Sequence, residues 1–249
     1  MRERVVFVPI GFLRSISGGV RTVPALKTLL TELESHFEVI IPVKAPESES
    51  QLKGYPFDAQ PPSPPESWPR DIRRALTEDS HMVAMGWHTP EVLVALDRMP
   101  VRSFVSLGFQ PTPAMLRTAG MAAAADAYEG ALLRFRTQGT IRMLFQGMDE
   151  DACGSLVDDI GRNIDPARQH AYMDWLNALD PLKDRPAVVA PTLYLHSPLD
   201  MGQARDIFRQ LVPHAELGDL ESFPMRLQEA DTGIEPARKT IEFVKRHAA

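Results

Sequence analysis

A single cysteine, Cys153, stands in a chain of 249 residues. No internal disulfide can form, and no set of Cys and His has the spacing of a zinc site, which argues for a reducing compartment and against a structural metal. Positive charge is in deficit: 27 Lys plus Arg against 33 Asp plus Glu give a net charge of −6 with histidine neutral. That balance excludes a general binder of nucleic-acid phosphates and a chain that docks on anionic lipid by charge, so neither nucleic acid nor membrane is an expected partner. No run reaches the roughly 20 apolar residues of a membrane helix. The start, Met1-Arg-Glu-Arg followed by Val5 to Leu13, has the charged head and apolar middle of a signal peptide. Pro9, Gly11 and Arg14 interrupt it and no small-x-small cleavage site follows, so it reads as a first strand and the expectation is a cytoplasmic protein. No sequence repeat is visible.

Hydrophobic residues make up 44% and charged residues 24%, enough apolar side chain for a sizeable core, and the length suits one domain or one domain carrying an insertion. Short β-rich runs alternate with helical patterns, the signature of parallel strands joined by crossover helices. Val5 to Ile10 is apolar on both faces, as a central parallel strand must be. Val23, Leu26, Leu29, Leu30 and Leu33 form one stripe of an amphipathic helix. Further strands are predicted over Phe37 to Val43, His81 to Met85, Val101 to Leu107, Thr192 to His196 and Ala215 to Leu220. Helices are predicted over Trp68 to Leu76, Val92 to Met99, Met201 to Leu211 and Glu235 to Arg246. The proline-rich stretch 45–68 can be neither helix nor central strand. From Gln110 to Leu182 no strand is expected; that block reads as a helical cap over a core formed by 1–109 and 183–249. Arg134, Arg136 and Arg142 read as a solvated face of the cap, and Cys153 as a buried cap residue.

The order of these segments, with four short motifs, resembles the α/β-hydrolase superfamily. Val8-Pro9-Ile10-Gly11-Phe12 is similar to the turn after an early strand that supplies an oxyanion-hole N–H. Gly86-Trp87-His88-Thr89-Pro90 is similar to the nucleophile elbow G-x-S-x-G. Pro191 to Asp200 resembles the segment that delivers the catalytic acid, and Ser222-Phe223-Pro224 stands where the family commonly has His-Phe-Pro. The resemblance implies an α/β fold with a mostly parallel sheet flanked by helices and carrying a helical cap. It also implies a degenerate triad: His88 for the nucleophile, Ser222 for the histidine, and Asp200 in the acid position. Acyl transfer by the usual route needs a hydroxyl, thiol or carboxylate at the elbow and an imidazole beside it.

Each candidate has a plainer reading. His88 is either an imidazole aimed into the pocket, suited to acid/base work near neutral pH, or a packed histidine. Asp200 either orients a neighbour or caps the following helix. Ser222 reads more readily as a loop serine than as a catalyst, and His196 as an ordinary hydrogen-bonded histidine. Phe12 and Trp87 line the pocket or the core; the N–H groups of Thr89 and Phe12, beside Gly11, are the expected oxyanion donors. These donors face a group attacked from the elbow, which disfavours a permuted pair in which His88 activates Ser222.

Three functions compete. The first is an enzyme that acts on a hydrophobic small molecule by proton transfer from His88, as a lyase, cyclase or carbon-carbon bond-forming catalyst, with no cofactor. A polyketide-type substrate enters only through the resemblance. The second is a ligand-binding protein without catalysis, and the third an ordinary ester or thioester hydrolase with relocated residues, His196 among them. A homodimer is compatible with all three. The environment of His88 discriminates: a catalytic imidazole needs a polar partner and access to the pocket.

Overall fold

A computed structural model describes residues 2–9, 19–41, 68–134, 138–163 and 166–248. Gly11, Phe12 and nearly all of the proline-rich stretch lie outside the described residues. Strands β1 (Arg4–Val8), β2 (Glu38–Ile40), β3 (Ser80–Met85), β4 (Ser103–Leu107), β5 (Thr192–His196) and β6 (Glu216–Asp219) form one sheet in the order β2-β1-β3-β4-β5-β6. Every pairing is parallel. The predicted alternation of strand and helix is thus present; β1, β2, β4 and β6 are shorter than the apolar runs suggest, β5 has the expected bounds and β3 begins one residue earlier.

Both faces of the sheet are covered. Val5, Phe7, Val83 and Met85 join one apolar cluster, while Val6, Val8, Met82 and Ala84 join another. Successive side chains of a strand point to opposite faces, so a continuous apolar run is what a sheet with two dry faces requires. On the first face α1 (Pro24–His36) packs beside the last helix, α11 (Ile234–Arg246); α1 buries Ala25, Leu26, Leu29, Leu30 and Leu33. Pro24 opens α1, where its fixed φ suits the helix and its missing N–H leaves no unmet donor. On the second face lie α2 (Trp68–Ala75), α3 (Thr89–Ala95) and α10 (Ala204–Leu211), whose Ile72, Val92 and Phe208 join the second cluster.

Between β4 and β5 the chain forms α4 (Pro113–Thr118), α5 (Ala122–Arg134), α6 (Gln138–Leu144), α7 (Glu150–Asn163), α8 (Pro166–Ala178) and α9 (Pro181–Asp184). An antiparallel bridge, Phe145 to Arg226, links this block to the loop after β6. Cys153 is buried on α7. No helix among the described residues is long and apolar enough to cross a membrane.

The order reverses at β1: the chain runs from β1 outward to β2, then returns to β3 on the other side. A crevice opens at such a switch point above the carboxyl ends of the strands, and there α/β sheets bind their ligands. The turn after β3 lies at that end.

The amino end of β3 carries a pH-sensitive group. His81 is fully buried with Nδ1 2.8 Å from Ser103 Oγ. Burial first, then the charges of Arg102 and His247, push its pKa from 6.5 down to about 4. The folded protein therefore holds this imidazole neutral, whereas the unfolded chain takes up a proton below pH 6.5. The stability that the neutral form contributes is present above pH 6.5 and is lost as pH falls toward 4, at no more than about 1.4 kcal/mol per pH unit. Urea titrations of wild type and His81→Phe between pH 7 and 4.5 check this; equal slopes for the two proteins would dismiss it.

Candidate active site

The turn after β3 begins on Gly86, which lies in the left-handed region at φ 47°. Trp87 and His88 continue as one turn of 3₁₀ helix, the Thr89 N–H donates to the Gly86 carbonyl, and α3 follows from Thr89 with Pro90 in its first turn. A sharp strand-to-helix turn with a strained central residue is the geometry of a nucleophile elbow. Its central residue here is Gly86, two positions before His88. His88 itself has the ordinary helical φ of −86°. A Cβ built on Gly86 meets nothing within 4 Å, so the central position opens onto free space.

Gly108, just after β4, abuts this turn at φ 82°. A Cβ there would stand 3.0 Å from Asp200 Oδ1, 3.1 Å from Ser197 Cβ and 3.7 Å from Gly86 Cα. Only glycine lets the Asp200 carboxyl and the Gly86 turn come together at this point. Asp200 Oδ1 accepts from the Phe109 N–H at 3.0 Å; Oδ2 accepts from the Ser197 N–H at 2.9 Å and from the Tyr194 hydroxyl at 2.6 Å. These donors favour the carboxylate, yet burial outweighs them and pushes the pKa up from 3.8 to about 7. The Tyr128 hydroxyl, carried in by α5, lies beside the Trp87 indole and in the field of Asp200; burial holds it protonated.

A raised carboxyl pKa has a definite linkage sign. Relative to the unfolded chain, the stability contribution of Asp200 is fully present below pH 3.8 and is lost as pH rises through 7, by up to about 1.4 kcal/mol per unit. Asp200→Asn should flatten that loss between pH 5 and 8 in urea titrations, whatever its effect on absolute stability. A slope in the variant equal to that of wild type would show that Asp200 ionises normally.

His88 closes the same 3₁₀ turn, two residues beyond Gly86. It is 3% exposed, and Nδ1 is hydrogen-bonded to Oε1 of Glu91, a residue with no exposure at all. Tyr172, on α8, brings its hydroxyl 2.9 Å from the same Nδ1 and donates to Glu91 Oε2 at 2.6 Å. The Tyr172 ring stacks on the imidazole at 5.9 Å and 28°.

No family model and no curated protein matches the sequence. Solved structures do match along the whole chain. A hydrolase from Oleispira antarctica superposes with a TM-score of 0.66 at 13% identity, over 98% of this chain and 92% of its own. A bromoperoxidase from Bacillus anthracis gives 0.68 at 13%, over 98% and 92%. MenH from S. aureus gives 0.62 at 12%, over 99% and 95%. This chain has the α/β-hydrolase fold. At such identities the likeness shows the fold alone, and it meets the fold class expected from the sequence.

Within the α/β-hydrolase fold the expected residues divide. Asp200 and Trp87 lie at the turn. Thr89 does not offer its N–H there, since that group closes the 3₁₀ turn, and its hydroxyl is buried 3.0 Å from Ser106 Oγ and 3.2 Å from the Gly108 carbonyl. Ser222 is half-buried in the loop after β6, where its carbonyl accepts from the Met225 N–H. Among the described residues neither Ser222 nor His88 is hydrogen-bonded to Asp200 or to the other. His196 stands 3.8 Å from Asp219 rather than beside Asp200. No cluster of three or more potential metal ligands occurs among the described residues.

Glu91, Tyr172, Tyr194 and Gly108 belong to the site although none of the four motifs marks them as functional residues. Glu91 had a usable signal, an acidic residue three positions after His88 at the start of a helix, the spacing that puts two side chains on one face. Tyr172 had none, because its approach to His88 depends on how α8 folds back.

Proposed function

We propose that this α/β-hydrolase-fold protein is an enzyme that acts on a hydrophobic small molecule by proton transfer rather than through a covalent acyl intermediate, as a lyase, cyclase or carbon-carbon bond-forming catalyst. One observation carries the reading: His88 Nδ1 rests on the buried carboxylate of Glu91. A carboxylate on one ring nitrogen holds the tautomer in which the other nitrogen exchanges the proton, the arrangement of an oriented general base. Gly86 supports the non-covalent part, because a glycine at the centre of the turn offers no attacking group. Asp200, with its pKa near 7, would supply a second group able to give or take a proton beside Gly86. The polyketide-type substrate rests on the resemblance alone.

The burial of His88 favours a second reading, a protein that holds a ligand without converting it. Ordinary ester hydrolysis has the least support, since neither a hydroxyl at Gly86 nor an imidazole beside Asp200 is available among the described residues. Incubation with a fluorophosphonate should leave the protein unlabelled; stoichiometric label on any serine would restore the covalent route. Replacing His88 by Ala then separates catalysis from binding.

A further inference from the structure

We infer that Glu91 and Tyr172 are positioning residues: Glu91 sets the tautomer of His88, and Tyr172 makes that setting depend on the docking of α8 against the core. The inference rests on the reading of His88 as a proton-transfer group and assigns it a switch carried by the helical block.

The proton count is specific. Glu91 accepts at both oxygens, Oε1 facing His88 Nδ1 and Oε2 taking the Tyr172 hydroxyl proton at 2.6 Å. A hydroxyl has one proton. With that proton on Oε2, the 2.9 Å approach of Tyr172 Oη to Nδ1 leaves the oxygen only its lone pairs toward the ring. Nδ1 therefore carries its own hydrogen, shared between Glu91 Oε1 and Tyr172 Oη, and Nε2 is the nitrogen that changes protonation state. Within the three contacts among His88, Glu91 and Tyr172, this placement gives each a donor and an acceptor while Glu91 is ionised.

The burial is what makes the arrangement more than a tether. His88, Glu91 and Tyr172 are 3%, 0% and 5% exposed. A carboxylate taken from water is stabilised only if donors meet its oxygens, and apolar side chains would join α8 to the core without that penalty. Tyr172, Leu176 and the half-buried Trp175 already provide such apolar packing, the last with its ring 5.7 Å from that of Tyr172. The polar part adds what packing does not, a fixed ring orientation at the turn that carries Gly86. If α8 lifts, Glu91 loses one donor and His88 loses both the stacked ring and one partner to Nδ1. The proton-transfer state is then assembled only with the helical block in place.

Three measurements on the intact protein test this, two of them independent of turnover. In long-range ¹H–¹⁵N spectra of histidine-labelled protein, neutral His88 should show the Nδ1–H tautomer, and Glu91→Gln should convert it to Nε2–H or to a mixture. Tyr172→Phe keeps the ring and loses the hydroxyl; it should raise amide exchange in residues 172–178 about tenfold or more and lower kcat by about 10- to 100-fold with a smaller change in KM, the usual effect of removing a partner that orients a functional group. An Nε2–H tautomer in wild type, a Glu91→Gln spectrum like that of wild type, or exchange in α8 unchanged by Tyr172→Phe would each overturn the inference. Should Glu91→Gln fail to fold, the wild-type tautomer and the Tyr172→Phe exchange still decide. A fully active His88→Ala protein would retire the proton-transfer reading while leaving both structural readouts interpretable.

Discussion

His88→Ala should lower turnover by about two to four orders of magnitude, the range of a lost general acid or base, while ligand affinity changes no more than a few-fold. Affinity survives because the imidazole is 3% exposed and offers a ligand little surface. The truncation leaves Glu91 buried with the Tyr172 hydroxyl as its remaining donor from this network, at a cost of about 1–3 kcal/mol. The fall in turnover must therefore be read against a melting curve. His88→Gln, which keeps volume and a donor toward Glu91, should fold nearly as well and be equally inactive. Full turnover by a folded His88→Ala protein would remove His88 from the chemistry. Tight binding with no turnover in wild type or either variant would leave ligand holding as the function. His88→Ser should not create an esterase, since the new hydroxyl would stand two residues past the centre of the turn, with no imidazole beside it among the described residues to take its proton.

The largest loss of stability should come from Gly233→Ala. A Cβ at Gly233 would lie 2.1 Å from the Ala25 carbonyl oxygen and 3.0 Å from both the Ala25 carbonyl carbon and the Leu29 nitrogen. These are backbone atoms of α1, whose Ala25, Leu26 and Leu29 are fully buried, so the helix has nowhere to go. Gly233 itself has φ −78°, open to any residue, and the penalty is entirely steric. Overpacking a close-packed site costs about 1–3 kcal/mol and more where backbone must move, so about 3 kcal/mol or above is expected. At about 2–4 °C per kcal/mol for a chain of this size, the melting temperature should drop by about 6–12 °C. Gly86→Ala is the contrast: its Cβ meets nothing, so only the left-handed backbone is penalised, by about 1–2 kcal/mol. A Gly233→Ala protein within 1 kcal/mol of wild type in urea would show that α1 and the turn before α11 are less tightly pressed than their geometry indicates.

Most of the fold was legible because it follows from repeat length. Val5 to Val8 and Ser80 to Met85 are buried throughout, and a helix such as α1 shows its stripe at every third or fourth residue. Boundaries were less legible. β1 ends at Val8, before the proline that the apolar run includes, and α3 begins at Thr89, three residues before the apolar stripe that predicts it. A stripe reports which residues are buried; the first turn of a helix is set by its cap and by local backbone geometry.

The site was legible as a place and illegible as an arrangement. Gly86-Trp87-His88 marks a turn between strand and helix, but three letters of a degenerate motif do not say which residue takes the left-handed backbone. Glycine takes it most cheaply, and Gly86 is where the turn bends. That choice moves the centre of the turn off His88 and commits the Thr89 N–H to the Gly86 carbonyl. The sequence by itself determined a two-faced parallel sheet, the absence of disulfides, and the positions of Gly86, His88 and Asp200 at the ends of strands, since each depends on neighbours along the chain. Only the tertiary structure decided that Asp200 faces Gly86 across Gly108 and that Tyr172 closes over His88 and Glu91. Tyr172 is 84 residues from His88, and a contact over that separation is set by how α8 packs, to which no local pattern in the sequence is sensitive.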